Sequence, residues 1–212
     1  APIEGAEAFI EPVSAPSNWK DEAKIAAYVA EKTAERVSGA GLDLDLARIT
    51  AIGLWDDADT FKIHLCRDED AERFQLAYLA EVLDGYQRQA PTLITYNGFA
   101  FDLPLLMRRA RYLGVAFPKI NLDRFRSQHV DLMNELTDRD PQRRRPLGFY
   151  VKRLGMPFTK PLTGEQESQV PVTGKWAELA LSVEHDIRAA RRLAEFLSVI
   201  QPQPVEAEEP VL

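Results

Sequence analysis

In the stretch TYNGFAFDLPLLMRRA, residues 95 to 110, Asp102 stands between Phe101 and Leu103, where an apolar strand gives way to a helix. Two kinds of chemistry are open to a carboxylate there. As a helix cap it would accept N–H groups of the first turn, worth about 1 kcal/mol, and Pro104 suits that turn. As a ligand it would offer hard oxygen atoms to a cation outside the carboxyl end of a strand, where open α/β sheets bind their ligands. The last predicted helix carries another acid, Asp186, in LSVEHDIRAARRLAEF. Trp176, Leu179, Ala180, Val183, Ile187, Ala190, Ala194 and Leu197 make one helical stripe, and Asp186 falls about 50° from its centre. From that edge a carboxylate can reach a cleft beside the core; the alternative is an acid on a solvated face. Hard cations select oxygen donors, so Asp and Glu suit this chemistry better than the single cysteine or the three histidines.

Other acids fit plainer roles. Asp43 and Asp45 in LDLDLARI would share a strand face, yet they immediately precede a strand, where Asp-rich turns are ordinary. Asp56, Asp57 and Asp59 read as hairpin-turn acids. Asp131 lies at a strand end before a helix and reads as a cap, with support of a neighbouring ligand as the alternative. His185, one residue before Asp186, points about 100° around the helix from it and reads as solvent-facing.

The elements that must position these residues follow from periodicity and punctuation. Residues 1 to 18 are irregular and Pro-spaced. A helix is expected from about Asp21 to Val37, with Asn18 or Asp21 as cap and Ile25, Ala26, Val29, Ala30, Thr33 and Val37 as its stripe. ARITAIGLW and TFKIHLC read as a hairpin closed by DDAD. DAERFQLAYLAEVLDG reads as a helix ended by Gly85, PTLITYNG as a buried strand, and LPLLMRRARYLG as a helix ended by Gly114. HVDLMNEL leads into a short helix, LGFYVKRLGM is another, and Trp176 to Ile200 is a long one. Strands that pair early and then alternate with helices predict an α/β layered fold over residues 1–200 as a single domain. The Pro-rich acidic tail, 201–212, has too little apolar content to fold.

Composition sets outer limits. With 212 residues and 45% hydrophobic content, the chain can bury one sizeable core. Cys66 has no cysteine to pair with and reads as a buried strand thiol, which makes a reducing cytoplasm the default. No apolar run approaches a membrane span and no leader precedes the domain, so a soluble protein without a membrane partner is expected. The net charge is −7, which argues against polyanion binding over the whole surface. The distribution is uneven, however: residues 106–153 hold 12 Lys or Arg against 5 Asp or Glu. Arg143, Arg144 and Arg145 in DRDPQRRRP are the densest part, a solvated loop or a contact for nucleic acid.

YNGFAFDLPLLMRRA resembles the second exonuclease motif of the proofreading domains of family B DNA polymerases and their free-standing relatives. SNWKDEAKIAAYVAEK, LDLDLARITAIG, HVDLMNEL and LGFYVKRLGMP resemble further segments of that polymerase-B-like family in order and spacing. The resemblance therefore covers nearly the whole chain. It implies a DEDD-type 3'-5' exonuclease with an RNase H-like fold, a mixed central sheet flanked by helices. It also implies four carboxylates holding two Mg²⁺ or Mn²⁺ ions, with Asp102 and Asp186 as catalytic metal ligands. By the same match Asn97 and Phe101 would contact the 3'-terminal nucleotides.

Two departures accompany the resemblance. Ser182 stands where tyrosine-type relatives carry the residue that positions water, and Leu181 stands where histidine-type relatives carry their histidine. A hydroxyl at 182 could act only through a further water. The Asp-x-Glu first motif, two ligands from one strand face, has no clear counterpart after Ala1 and is expected on a strand upstream of it. The resemblance points to hydrolysis at 3' ends of single-stranded DNA, in replication or repair. The alternatives are a catalytically degenerate nucleic-acid-binding or protein-interaction module of the same fold, and an endonuclease using the same ions.

Overall fold

A computed structural model describes residues 1–56, 60–87, 92–157 and 159–201. Asp57 and Asp59 and the tail from residue 202 onward, for which a hairpin turn and an unfolded segment are expected, lie outside the described residues. Helix α1 (Glu22–Gly39) begins at Asp21, whose carboxylate accepts the Lys24 N–H at 3.1 Å. Its apolar stripe is less covered than the periodicity predicts, since no residue of α1 is buried. Strands β1 (Ala51–Trp55) and β2 (Phe61–Leu65) pair antiparallel from Ala51↔Leu65 to Trp55↔Phe61. Asp56 helps close that hairpin by accepting the Thr60 N–H at 2.7 Å. Helix α2 (Glu69–Gln87) runs past Gly85, because one glycine lowers helix propensity without ending a helix.

Strand β3 (Ile94–Thr95) leads into α3 (Asp102–Tyr112), and β4 (Val130–Asp131) into α4 (Leu132–Leu136). β3 and β4 pair in parallel, Ile94 with Val130 and Thr95 with Asp131. Gly114 follows α3 at φ 68°, a left-handed backbone that glycine adopts at little cost. Helices α5 (Leu147–Arg153), α6 (Gly164–Ser168), α7 (Val170–Thr173) and α8 (Trp176–Phe196) complete the fold. The two short helices before α8 are additional to the sequence reading. Their signal is a capping box: Thr163 Oγ1 accepts the Gln166 N–H and Gln166 Oε1 accepts the Thr163 N–H. The long helix ends at Phe196 rather than Ile200, where Ser198 takes φ 58°.

The architecture is a mixture of helix and strand, compatible with an α/β fold. Among the described residues the strands form two separate pairs rather than one central sheet. Between the pairs lies a cavity of about 2600 Å³, lined by Ile52, Leu54, Ile94, Thr95 and Tyr96 together with Asp102 and Asp186. Residues 1–3 run beside residues 46–48: Pro2 bridges Ala47 antiparallel, and Arg48 N–H donates to the Ala1 carbonyl at 2.7 Å. Cys66 is fully buried as expected, and burial pushes its thiol up to about 12. Among the described residues no helix is long and apolar enough to cross a membrane.

Two contacts set the helices against the strands. The buried Glu72 carboxylate takes Arg109 Nε and Nη2 at 2.7 and 2.8 Å and the Ile49 N–H at 2.9 Å, joining α2, α3 and the approach to β1. Helix α8 crosses β1 at Gly53, where a Cβ would lie 2.1 Å from Ile187 Cδ1 and 2.6 Å from Val183 Cγ1. Glycine is therefore required there for close approach. Gly53→Ala should cost about 1–3 kcal/mol through overpacking and lower Tm by several degrees. Adding Ile187→Val, which removes the Cδ1 atom in closest contact, should restore part of that loss in thermal unfolding. Additive losses would show that the contact at Ile187 is not the cause.

Candidate active site

Asp102 is placed by a turn that another aspartate holds. Asp131 Oδ1 accepts the N–H of Asn97 at 2.9 Å and of Met133 at 3.0 Å, and Oδ2 accepts that of Phe99 at 3.1 Å. Asp131 thus caps α4, as its position suggests, and also clamps the turn after β3. Within that turn Asn97 adopts φ 62°, tolerable for Asn because its side chain is short and polar. Gly98 packs so closely that a Cβ would lie 2.3 Å from Thr95 Oγ1. Ala100 and Phe101 N–H groups donate to the Asn97 carbonyl, and Leu103 N–H donates to that of Gly98. The chain therefore enters α3 at Asp102 as its first helical residue, with Phe101 at the cap position making no side-chain capping bond.

The cap role considered for Asp102 is not the one it plays. Its carboxylate meets its own backbone N–H and opens onto the large cavity. The residue is solvent-accessible from that side while protein surrounds it on the others. Burial raises its pKa from the ordinary 3.8 to about 6, against the backbone hydrogen bond, and the charges of Asp131 and Asp186 add to the rise. Asp102 and Asp186, from different helices, thus line one cavity, and the charge of Asp186 reaches Asp102.

Asp186 has partners that periodicity does not reveal. Lys160 Nζ donates to its Oδ2 at 2.5 Å and lies 2.9 Å from Glu167 Oε1. Burial opposes the ammonium charge, but the two carboxylates outweigh it and hold the lysine pKa above its usual value. His185 Nδ1 lies 3.1 Å from Asp186 Oδ1. This histidine is buried rather than solvent-facing, because α8 is covered on more than one side, by the hairpin and by α7. Ser182 is fully buried too, and its Oγ accepts the Leu162 N–H at 3.2 Å. It faces the segment before α6, so a route from Ser182 through water to substrate has no support here. Lys160 and Glu167 are the residues that the sequence reading missed; Lys160 sits in an irregular stretch without a motif.

Phe101 lines the cavity and packs partly against the core around Leu105, whereas Asn97 contributes its backbone. The three arginines differ. Arg143 is engaged by Asp138 and Asp140, each at 3.2 Å. Arg144 Nε is buried with no hydrogen-bond partner among the described residues. The Arg145 guanidinium lies 5.9 Å from the Phe149 ring, and its carbonyl accepts the Tyr96 hydroxyl, which ties the basic loop to the end of β3. Asp43 and Asp45 serve local structure: Asp43 accepts the Asp45 N–H, and Asp45 takes the Tyr112 hydroxyl and Arg108. In kind, the oxygens of Asp102 and Asp186 suit a hard cation. In number they fall short, since no group of three or more His, Cys, Asp or Glu among the described residues could hold one.

A family model described as a predicted 3'-5' exonuclease related to the exonuclease domain of PolB matches residues 41–188. Neither the curated proteins nor the solved structures contain a match to the chain.

The electrostatics of Asp102 can be read directly. In metal-free buffer its carboxyl carbon should titrate by NMR with a midpoint of about 6, and Asp186→Asn should lower that midpoint by removing a like charge. Because the folded pKa lies above the unfolded one, the associated stability is fully present below about 3.8 and is lost as pH rises through about 6. Asp102→Asn should accordingly match wild type near pH 3.5 and gain about 1 kcal/mol at pH 7, after allowance for solvent access. A midpoint near 4 would place the carboxylate in open solvent.

Proposed function

The chain belongs to the family of predicted 3'-5' exonucleases related to the exonuclease domain of PolB, and from that premise we propose that it removes nucleotides from the 3' ends of single-stranded DNA by metal-dependent hydrolysis. The observation that carries the proposal is the convergence of Asp102 and Asp186 on the lining of one cavity, where the Asp186 charge adds to the rise at Asp102. Both residues fall inside the matched stretch, 41–188.

In this reading the fold is RNase H-like and the two strand pairs are parts of one mixed sheet. A strand seated between β1 and β3 would join them. Support comes from the ladder of residues 1–3 against 46–48, because a segment joined to the Ala1 amine and continuing that line would run beside β1. An Asp-x-Glu on such a strand would raise the donor count to four. Asp102 and Asp186 would hold two Mg²⁺ or Mn²⁺ ions with them. When bound, the ions supply Lewis acidity at the reacting phosphorus and charge for the leaving oxygen.

The chain's own residues account for the rest. Asp131 keeps Asp102 at the cavity wall by fixing the turn through three N–H groups. Lys160 compensates Asp186 and is itself held by Glu167, so a cation stands beside that carboxylate. The Phe101 ring, at the cavity wall beside Asp102, offers a face for the terminal base. Arg144 and Arg145, less encumbered than Arg143, are suited to backbone phosphates.

A second reading is a nucleic-acid-binding module without catalysis. It is favoured by one observation, the short count of ligands among the described residues. An assay with 5'-labelled single-stranded DNA and Mn²⁺ separates the two. The nuclease should produce a ladder shortened from the 3' end, and Asp102→Asn and Asp186→Asn should each reduce the rate at least about 100-fold, as loss of a major transition-state contributor does. Mn²⁺ should also raise Tm in wild type and less in Asp102→Asn. Binding without shortening, with equal Tm shifts in both proteins, would establish the non-catalytic reading.

A further inference from the structure

We propose that the phenyl rings of Phe125 and Phe149 are stacking platforms for unpaired bases, one beyond each end of the basic loop 138–146. The proposal rests on the nuclease reading above and adds the path of the strand outside the reacting site. Both rings are exposed, Phe125 at 72% and Phe149 at 45%. Neither is loosely presented. Asp123 Oδ1 accepts the N–H groups of Phe125 and Arg126, which shapes the turn that carries the first ring outward. Phe149 lies on α5 and packs edge-on against Tyr150, with centroids 5.2 Å apart.

Each ring carries a guanidinium from the same loop. Arg139 lies 5.4 Å from the Phe125 centroid and Arg145 lies 5.9 Å from that of Phe149. A guanidinium against an aromatic ring restrains it and places positive charge beside whatever stacks there. In sequence between these pairs stands Arg144, a half-buried cation whose Nε–H has no hydrogen-bond partner among the described residues. Phe125 and Arg139 also wall a cleft of about 230 Å³ that reaches Phe99 and Asp131, in and beneath the turn that leads to Asp102. On the other side, Tyr150 links Phe149 to Tyr96, with Tyr96 and Tyr150 centroids 6.3 Å apart. The cleft thus leads from Phe125 to the turn before Asp102, and the ring contacts lead from Phe149 to the end of β3.

Aromatic faces interleaved with cations are the combination that holds single strands without regard to sequence, since every base has a π-face and every phosphate a charge. A duplex hides its base faces, so the rings select an unpaired strand. The local excess of 12 Lys or Arg over 5 Asp or Glu in residues 106–153 matches a polyanion.

The test separates stacking from charge. Affinities of wild type are measured in EDTA for an oligothymidine of about ten nucleotides and for an abasic oligomer with the same phosphates. Wild type should prefer the thymidine strand. Phe125→Ala and Phe149→Ala should each weaken thymidine binding about 10-fold, leave abasic binding unchanged and keep the salt slope. Arg144→Ala with Arg145→Ala should do the reverse, lowering the salt slope for both oligomers. Phe125→Trp and Phe149→Trp should retain the preference, which excludes misfolding as the cause. Alanine variants that bind thymidine as wild type does, or that lose affinity equally for both oligomers, overturn the platforms. A wild type that shortens DNA yet ignores the ring substitutions removes only this inference; one that binds neither oligomer and does not shorten DNA with Mn²⁺ removes the nuclease reading with it.

Discussion

One buried carboxylate organises the candidate site. Asp131 is only 3% exposed, and its two oxygens take three backbone N–H groups from two chain segments. Hydrogen bonds to an ionised group contribute roughly 1.5–3 kcal/mol each, and a lost acceptor would leave three amide groups without their partner. An amide side chain could not replace it, because Asn offers one acceptor oxygen where both are in use. The left-handed Asn97, the tight approach of Gly98 to Thr95 and the start of α3 all follow from this clamp. Asp102 therefore owes its place at the cavity wall to a second aspartate that reads, in sequence, as an ordinary helix cap.

Asp186 reaches the same cavity by an independent route. Gly53 lets α8 lie directly on β1, and the missing Cβ fixes how close Val183 and Ile187 can come. The buried Glu72–Arg109 pair holds α2, α3 and the start of β1 together, so the helix bearing Asp102 is referred to the same strand as the helix bearing Asp186. Breaking such a pair by removing one partner leaves an uncompensated buried charge, which costs more than the intact pair contributes. The separation of the two aspartates is in this way a consequence of packing around β1.

Local signals were legible in the sequence, and long-range ones were not. The hairpin, the Asp21 cap, the entry into α3 and the α8 stripe each depend on residues within a few positions of one another. A helical wheel gives angles relative to its own stripe only. It cannot say that the face beyond the stripe is covered as well, which is why Ser182 and His185 turn out buried. The apolar stripe of α1 fails in the opposite sense, since it finds too little to pack against. Lys160 pairs with Asp186 across 26 positions, and no spacing rule reaches that far. By contrast, the engagement of Arg143 by Asp138 and Asp140 spans five positions or fewer and was open to inspection.

The acids of the site raise a difficulty for any polyanionic substrate, and the structure meets it piecewise. Asp131 is offset by amide dipoles and Asp186 by the Lys160 ammonium, whereas Asp102, raised to about 6, is ionised at neutral pH and remains the least compensated of the three. Neither of the two compensating devices draws on the loop arginines. Arg144 and Arg145 stand next in sequence to Pro146 and Leu147, which form part of the cavity lining. Over distances beyond about 10 Å exposed charges are screened, so the basic loop can attract a strand that comes close to it despite the net negative charge of the chain. A protein with net charge −7 can in this manner carry a locally basic surface while keeping carboxylates in the candidate site.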